Sequence, residues 1–287
     1  QGVRDDNIHI FVDGGKYIHI DSVQQHQIPH SKNTNNNMIL SHNYRYMFDT
    51  IFFSHKFAVF LEDDIFPGVD AHKYFEWGKK IMEYDTTVFA VSGSNDNSND
   101  ILHGKKNDIF TRAEQFLGLG WLTSDIVYKK YLKSHMEHCP SQLAWIQCTS
   151  KALSDNNMVT VFPMVQRTLH VPYIKGTHQE LVGLSFNTDT SVVFPLPYLL
   201  TFPYYRQYIT DHVLPLSTVI YMDNTYDKRW SNTLKKESQV PLTISHLAQK
   251  PFGYHQDIVV FPGERRPIVF IYIDKSNSKS KLRQWPI

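Results

Sequence analysis

The segment FAVFLEDD at residues 57–64 constrains the fold of this chain more than any other. Its uninterrupted apolar run predicts a strand buried on both faces, and such a strand is typical of the centre of a parallel sheet. Residues 71–84 have helical spacing of apolar side chains, and VFAVSG at 88–93 predicts a second buried strand. Strand, helix and strand in this order predict an α/β fold.

Further elements are predicted on either side of this unit from periodicity and turn residues. They are strands at 8–13, 159–170 (broken at Pro163), 257–261 and 267–273, helices at 38–53 and 141–153, an amphipathic helix that follows two glycines within 116–132, and a polar loop at 24–37.

The chain of 287 residues suits one large domain or two small ones. Lys and Arg number 29 against 28 Asp and Glu, a formal charge of +1, which provides no basic surface for a nucleic acid or a membrane. The longest apolar stretch, at 192–202, contains two prolines and is shorter than the roughly 20 residues of a membrane helix. We therefore expect neither a nucleic-acid partner nor a membrane span in this chain.

The two cysteines, Cys139 and Cys148, are nine positions apart. They are too few for a disulfide framework, and their spacing is not that of a metal site. The residues leave two alternatives, one bridge between them or two free thiols.

Three consecutive acids, Glu62, Asp63 and Asp64, directly follow the strand at 57–61. Ligands of α/β sheets bind beyond the carboxyl ends of strands, and adjacent carboxylates repel one another unless a cation or hydrogen bonds offset the charge. Hard divalent ions such as Mn²⁺ or Mg²⁺ prefer carboxylate oxygens and neutralise phosphates. The triplet thus predicts a metal–diphosphate site, and the alternative is a solvated helix N-terminus.

Several segments, in order along the chain, resemble motifs of glycosyltransferase family 13, which holds N-acetylglucosaminyltransferase I and the protein O-mannose β-1,2-N-acetylglucosaminyltransferase. FLEDDIFPGVDAHKYF resembles the family's acidic E-D-D strand and the helix after it. The other similar segments are MILSHNYRYMF (38–48), AVSGSNDNS (90–98), FLGLGWL (116–122), FPMVQRT (162–168) and DIVVFPGERRPIVF (257–270).

The resemblance implies a GT-A-type fold in two halves. A Rossmann-like nucleotide-sugar-binding half would occupy residues 1–100, with the family's first strand apparently absent, and a mixed β acceptor half would occupy 101–287. It also implies inverting transfer of GlcNAc from UDP-GlcNAc to a mannose-type hydroxyl with Mn²⁺ (or Mg²⁺), within the Golgi lumen or secretory pathway.

Carried over residue by residue, the resemblance makes Asp64 the metal ligand and places Glu62 and Asp63 on the ribose and GlcNAc hydroxyls. Asp13 corresponds to the acid that reads the uracil. The segment at 118–121 would wall the GlcNAc pocket, although Trp121 could equally be a core aromatic. The pocket wall consists of Gly118, Leu119, Gly120 and Trp121. The remaining donor-binding positions are Asn43 (a histidine in the family), Lys175 and Thr177. Lys175 and Thr177 belong to the segment at 173–178, which corresponds to a mobile loop of the family. All fifteen histidines are interpreted as surface or core residues.

One departure concerns the general base that an inverting transferase needs on the acceptor hydroxyl. The family supplies an aspartate, and the ungapped position here is Ile146. Substitutes are Glu137, Asp155 and Glu180. The tryptophan of the family's W-N-D-N segment is Ser94, and the family's disulfide cysteines fall on Ala90 and Thr160.

The sequence leaves three hypotheses about the function of the chain. The chain is an active transferase with a base recruited from elsewhere, or it is a degenerate homologue, a pseudoenzyme that binds a glycan or a protein partner without turnover. The third is an unrelated α/β binding module, which requires every motif match to be coincidental.

Overall fold

The computed structural model describes well over half of the chain. The described residues are 4, 7–13, 23–29, 36–95, 108–113, 115–140, 144–171, 190–208 and 211–212, with the strand backbones 218–222, 253–255, 258–261 and 268–272.

The strands are numbered in chain order. They are β1 (His9–Val12), β2 (Gln24–Gln27), β3 (Phe57–Phe60), β4 (Ile65–Pro67), β5 (Val88–Ser92), β6 (Phe110–Ala113), β7 (Trp121–Ser124), β8 (Val159–Pro163), β9 (Thr168–His170), β10 (Thr218–Met222), β11 (Gly253–His255), β12 (Ile258–Phe261) and β13 (Ile268–Tyr272).

The helices alternate with these strands in the first two thirds of the chain. They are α1 (Asn36–Ile51), α2 (Ala71–Tyr84), α3 (Asp125–Val127, a π-helical turn at Tyr128–Leu132, then Lys133–Glu137), α4 (Trp145–Asp155), a 3₁₀ turn (Pro197–Leu200) and α5 (Tyr205–Tyr208). None of the helices in the described part of the chain is both long and apolar enough to cross a bilayer.

The main sheet has five strands in the order β3-β7-β5-β8-β6. Only β5 and β8 are parallel neighbours within it, because β3–β7, β7–β5 and β8–β6 all run antiparallel. The α/β prediction is confirmed as a mixed α/β architecture, whereas the expectation of a parallel sheet is wrong.

The position of β3 also differs from the prediction, because the strand lies at the edge of the five-stranded sheet and not at its centre. Its Val59 is 39% exposed, while Phe60 is buried against Phe48 and Trp121. A run of four or five apolar residues fits either position, since one covered face is enough to select such side chains.

Helices cover both faces of this sheet. Val91 of β5 lies against Gly78 of α2, where an added Cβ would come within 2.8 Å of the valine side chain. Trp121 points to the opposite face, because side chains alternate along a strand and its neighbour Leu122 is paired with Val91. On that face Trp121 contacts Phe48 of α1.

The segment at 24–37 is not all loop, as the sequence had indicated. Residues 24–27 form β2, which pairs in parallel with β1, and α1 begins at Asn36. The polar strand is held by its backbone ladder and by His26, whose ring stacks on Phe11 at 4.6 Å. A strand with polar side chains is difficult to predict from the sequence, because its pairing uses only main-chain groups.

Cys139 and Cys148 form a disulfide, which decides between the two alternatives that their spacing left open. The bridge ties the end of α3 to the first turn of α4. It is not the family's predicted bridge, whose positions Ala90 and Thr160 are both buried here as paired residues of β5 and β8.

Candidate active site

Two predicted donor-binding residues, far apart in sequence, are in direct contact. Asp13 follows β1, and Asn43 lies on α1; the Asn43 amide donates a hydrogen bond of 2.8 Å to Asp13 Oδ2. Asn43 is buried, whereas Asp13 is exposed. The buried amide therefore fixes the orientation of a carboxylate that remains open to a ligand.

The acidic triplet begins in contact with the same helix. The Tyr44 hydroxyl donates a 2.6 Å hydrogen bond to Glu62 Oε1. Burial raises the pKa of Glu62, and the neighbouring Asp64 and Asp63 carboxylates raise it further, against the opposing effects of the Tyr44 hydrogen bond and of His170. Burial and Glu62 together raise the pKa of Tyr44 well above its usual value, so the phenol remains a donor at neutral pH.

Asp64 is paired with a histidine that the sequence did not single out. His170 Nε2 lies 2.9 Å from Asp64 Oδ2. The strands β4 and β9 hold the two residues together, with Ile65 opposite His170 in an antiparallel ladder. The ladder continues beyond β9, where Val171 N donates to the Asp64 carbonyl at 2.9 Å.

The donor atoms around Asp64 fit a hard divalent cation. The Asp64 Oδ1 atom is buried without a hydrogen-bond partner, which is costly for a carboxylate unless a cation or another donor approaches. Within the described residues no group of three or more His, Cys, Asp and Glu side chains is arranged so that it could hold a metal ion by itself. Mg²⁺ in nucleotide sites has few protein ligands and takes its other oxygens from phosphates and water, so the small donor set is compatible with such a site.

Aromatic packing connects the acidic triplet to the predicted base position. The Tyr44 ring stacks on Trp145, with ring centroids 3.8 Å apart. A Cβ added at Gly118 would come within 2.7 Å of the Trp145 ring and 3.4 Å of Ile146 Cδ1. Ile146 therefore lies beside Gly118, and its assignment to the base position stays a prediction.

The glycines of this segment are required by packing within the protein. Gly118 makes room for Trp145, and Gly120 has φ +78° with Thr168 Cγ2 only 2.6 Å from an added Cβ. Trp121 is fully buried among Phe60, Phe116 and Phe48. Of the two alternatives for Trp121, its ring fits the core aromatic; the contact of residues 118–121 with a sugar stays a prediction.

The Arg-Thr pair of the segment FPMVQRT links elements that surround the acidic triplet and the glycine segment. Arg167 is fully buried and its Nε donates a 2.9 Å hydrogen bond to Asp70, just before α2. The Thr168 hydroxyl donates to the Leu119 carbonyl at 2.7 Å. These contacts connect the start of α2, strand β9 and the glycine segment into one framework.

Two of the three candidate bases are described, and both are engaged in ion pairs. Asp155 is bonded to Lys151 and His135, and these hydrogen bonds lower its pKa, which weakens it as a base. Asp155 is also nine residues from Ile146 on α4, about 13 Å along the helix axis. Glu137 lies 3.8 Å from Arg45.

Several predicted positions fall outside the described residues. Lys175, Thr177 and Glu180, with the whole segment 173–178, lie outside the described residues. Asp63 is described and exposed beside its two acidic neighbours.

Sequence reasoning missed three residues that build the site, Tyr44, Trp145 and His170. Tyr44 directly follows a predicted donor residue, so its place in that motif was a usable signal. Trp145 precedes the base position in the same way. For His170 no local signal existed, because its partner Asp64 is 106 positions away in the chain.

Comparison with known proteins supports the motif resemblance. Residues 5–135 match the model of the GNT-I family. The chain is also similar to alpha-1,3-mannosyl-glycoprotein 2-beta-N-acetylglucosaminyltransferase of Arabidopsis thaliana, with 31% identity over 156 residues, which is 52% of this chain and 32% of the relative. The chain thus spans about a third of the length of the curated relative that it matches.

The matched region contains β1, α1, β3 and the glycine segment, and therefore Asp13, Asn43, the acidic triplet and residues 118–121. Over this region the architecture is mixed α/β, which is consistent with an α/β glycosyltransferase. The predicted resemblance to the N-acetylglucosaminyltransferase I family is confirmed for residues 5–135. Ile146 and the Arg167-Thr168 segment lie beyond the matched residues.

Proposed function

We propose that this chain is an inverting N-acetylglucosaminyltransferase that uses UDP-GlcNAc, Mn²⁺ (or Mg²⁺) and a mannose-type acceptor. The observation that carries the proposal is the buried, unpartnered Oδ1 of Asp64, directly before β4. It lies in a cluster of three consecutive acids, whose mutual repulsion a bound cation would reduce.

The described residues divide the recognition of such a donor between them. Asp13, oriented by Asn43, accepts from the uracil N–H, and Glu62 and Asp63 accept from sugar hydroxyls. Asp64 holds the cation, which offsets the negative charge that develops on the departing diphosphate. The Tyr44 hydrogen bond keeps Glu62 in one orientation, so its free oxygen lone pairs face a fixed direction.

A second candidate function rests on one specific position. Ile146 stands where the family has its base, and the described substitutes Glu137 and Asp155 are paired with cations. A missing base costs about 10²–10⁴-fold in rate. The alternative is therefore a catalytically degenerate homologue that retains the donor site and acts by binding a glycan or a protein.

We place the protein in the Golgi lumen or another part of the secretory pathway. The Cys139–Cys148 bridge supports this location, because disulfides persist in oxidising compartments and are rare in the cytosol. The similarity to an enzyme of glycoprotein synthesis supports it independently.

Calorimetric titration of UDP-GlcNAc, with and without Mn²⁺, tests the donor site. We expect binding that requires Mn²⁺ in the wild-type protein and is lost in Asp64→Asn, which removes the anionic ligand with little change in shape. Glu76→Gln is the matched control, because Glu76 is an exposed acid on α2 whose partner is the surface residue Lys79.

The same titrations contain the outcomes against the proposal. Equal UDP-GlcNAc affinity with and without Mn²⁺, or unchanged affinity in Asp64→Asn, would remove the metal assignment. Mn²⁺-dependent binding without transfer to any mannoside would favour the degenerate homologue over the active enzyme.

A further inference from the structure

We propose that His170 is a second protein ligand, beside Asp64, for the divalent cation of the donor site. The inference rests on the proposed function, since it concerns the same cation. It assigns a role to a histidine that the sequence motifs left among the core and surface residues.

The first argument is the distance between the two donor atoms. His170 Nε2 and Asp64 Oδ2 are 2.9 Å apart. Two ligands at about 2.1 Å from one cation, at right angles to each other, are about 3.0 Å apart. The pair therefore already has the separation of neighbouring ligands of an octahedral ion. Cation binding at Nε2 would displace the proton between them, and the neutral imidazole would then carry its proton on Nδ1.

The second argument is the rigidity of the frame that holds them. The side chain of His170 is 7% exposed and that of Asp64 is 22% exposed. The two backbones belong to one antiparallel ladder, in which Ile65 faces His170 and the Asp64 carbonyl accepts from Val171. Ligands on paired strands hold their geometry better than ligands on separate loops.

The third argument is the orientation of the remaining oxygen. Asp64 Oδ1 is buried without a partner, so the carboxylate has an unused acceptor in addition to the oxygen that faces His170. One carboxylate and one imidazole leave about four positions of an octahedral ion for diphosphate oxygens and water. This is the arrangement of a site that is completed by a nucleoside diphosphate.

A nitrogen ligand also changes which cation the site prefers. Mg²⁺ and Ca²⁺ take oxygen ligands almost exclusively, whereas imidazole binds first-row transition ions. With His170 as a ligand, the site should bind Mn²⁺ and Co²⁺ in preference to Mg²⁺. A site with Asp64 as its only protein ligand has no nitrogen ligand, so it should show no such preference for Mn²⁺ and Co²⁺ over Mg²⁺.

Electron paramagnetic resonance of Mn²⁺ bound to the full chain with UDP tests the assignment directly. In the wild-type protein, spin-echo spectra should show coupling of the Mn²⁺ electron spin to a histidine ¹⁴N nucleus. His170→Gln keeps a hydrogen-bond donor for Asp64 but removes the imidazole nitrogen. We expect this variant to lose the coupling and to bind Mn²⁺ at least about 10-fold more weakly.

His72→Gln is the matched control, because His72 is an exposed residue of α2, and it should retain both the coupling and the affinity. Mn²⁺ that binds the wild-type protein and is lost in Asp64→Asn, yet shows no nitrogen coupling, would overturn the role of His170 and leave the proposed function intact. Absence of Mn²⁺ binding to the wild-type protein would instead overturn the proposed function. Absence of nitrogen coupling in the wild-type spectrum overturns the role of His170 even where a variant folds poorly.

Discussion

Trp145 stacks on Tyr44, with ring centroids 3.8 Å apart and ring planes inclined by 24°. Tyr44 in turn donates its hydroxyl to Glu62, so a single aromatic contact joins the first turn of α4 to the acidic triplet. The position next to Trp145 is Ile146, which the motif resemblance predicts to be the base position. Two stacked rings thus connect the acidic triplet to the predicted base position.

That connection makes Gly118 a structural requirement. Gly118→Ala places a methyl group about 2.7 Å from the Trp145 ring, so the ring or the segment must move. We expect a loss of about 1–3 kcal/mol in the free energy of unfolding, typical of overpacking in a core. Urea denaturation of the variant measures this loss.

A double-mutant cycle identifies the contact responsible. Trp145→Phe removes the indole atoms Cζ2 and Cη2 that the new methyl group would meet. Gly118→Ala should therefore cost less in the Trp145→Phe background than in the wild type. Additive losses would mean that the glycine is needed for a reason other than this ring.

The hydrogen bond from Asn43 to Asp13 leads to a prediction about nucleotide recognition. Asn43→Ala leaves the exposed Asp13 without its buried donor. A hydrogen bond to a charged group contributes about 1.5 kcal/mol or more, so we expect about tenfold weaker binding of UDP. Calorimetry measures the affinity, and Leu40→Ala, an exposed position of the same helix, is the control. Unchanged UDP affinity in Asn43→Ala would separate Asp13 from the nucleotide site.

The sequence predicted those elements whose spacing of apolar side chains depends only on residues within the element. Helix α2 has the predicted bounds of 71–84, because Tyr74, Trp77 and Ile81 recur at helical spacing and all are buried. The motifs also placed Asp13 and Asn43 in one site, and the two residues are in contact.

Relationships between distant segments could not be predicted in the same way. The edge position of β3 depends on which strand pairs beside it, and the apolar run at 57–61 contains no information on that choice. The pairing of His170 with Asp64 depends on the β4–β9 ladder, which joins residues about a hundred positions apart. Strand β2 was missed because its ladder uses backbone groups that every residue has.

The buried ion pair of Asp85 and Arg112 predicts how stability depends on pH. Burial by itself would raise the pKa of Asp85, but the Arg112 charge and hydrogen bonds from Thr87 and Arg112 lower it below the usual 3.8. A depressed carboxyl pKa stabilises the folded state above the unfolded pKa, and this stabilisation is lost as pH falls through the folded value. We expect the free energy of unfolding to fall progressively below about pH 4.

Removing the carboxylate tests the same pair at neutral pH. Asp85→Asn leaves the Arg112 guanidinium buried without its anion, which costs about 3–5 kcal/mol. The variant should also lose part of the acid dependence, since the titrating group is gone. Asp155→Asn, at an exposed ion pair, should change the unfolding energy little. A wild-type acid profile in Asp85→Asn would assign the pH dependence to other carboxyl groups.

The disulfide predicts that reduction lowers the thermal stability of the protein. Cys139 and Cys148 close a short loop that ends in the first turn of α4, and such a loop contributes about 2–3 kcal/mol in the chain-entropy account. Reductant should lower the Tm of the wild-type protein to that of the Cys139→Ala, Cys148→Ala double variant. The double variant is its own control, because reductant should leave its Tm unchanged. Two titratable thiols in the native protein, with no effect of reductant, would contradict the bridge.

The last prediction concerns the base position. Ile146 is half-buried beside Gly118 and follows Trp145 in α4, so Ile146→Asp would add a carboxylate at the predicted base position. Ile146→Asp should raise transfer of GlcNAc to a mannoside acceptor by about 10²–10⁴-fold, the usual contribution of a general base. Radiolabelled UDP-GlcNAc with a mannoside acceptor measures the rate.

Gln147→Glu is the matched control for Ile146→Asp. It adds a carboxylate in the same helical turn, but residue 147 is exposed and its side chain accepts from the Ala144 N–H at the start of α4. Glutamate keeps that capping interaction, so the variant should fold normally and gain no turnover. A gain in turnover in Ile146→Asp alone would show that position 146 retains the geometry of base catalysis and lacks only the carboxylate. Equal rates in both variants and the wild type would mean that the acceptor hydroxyl does not reach this part of α4.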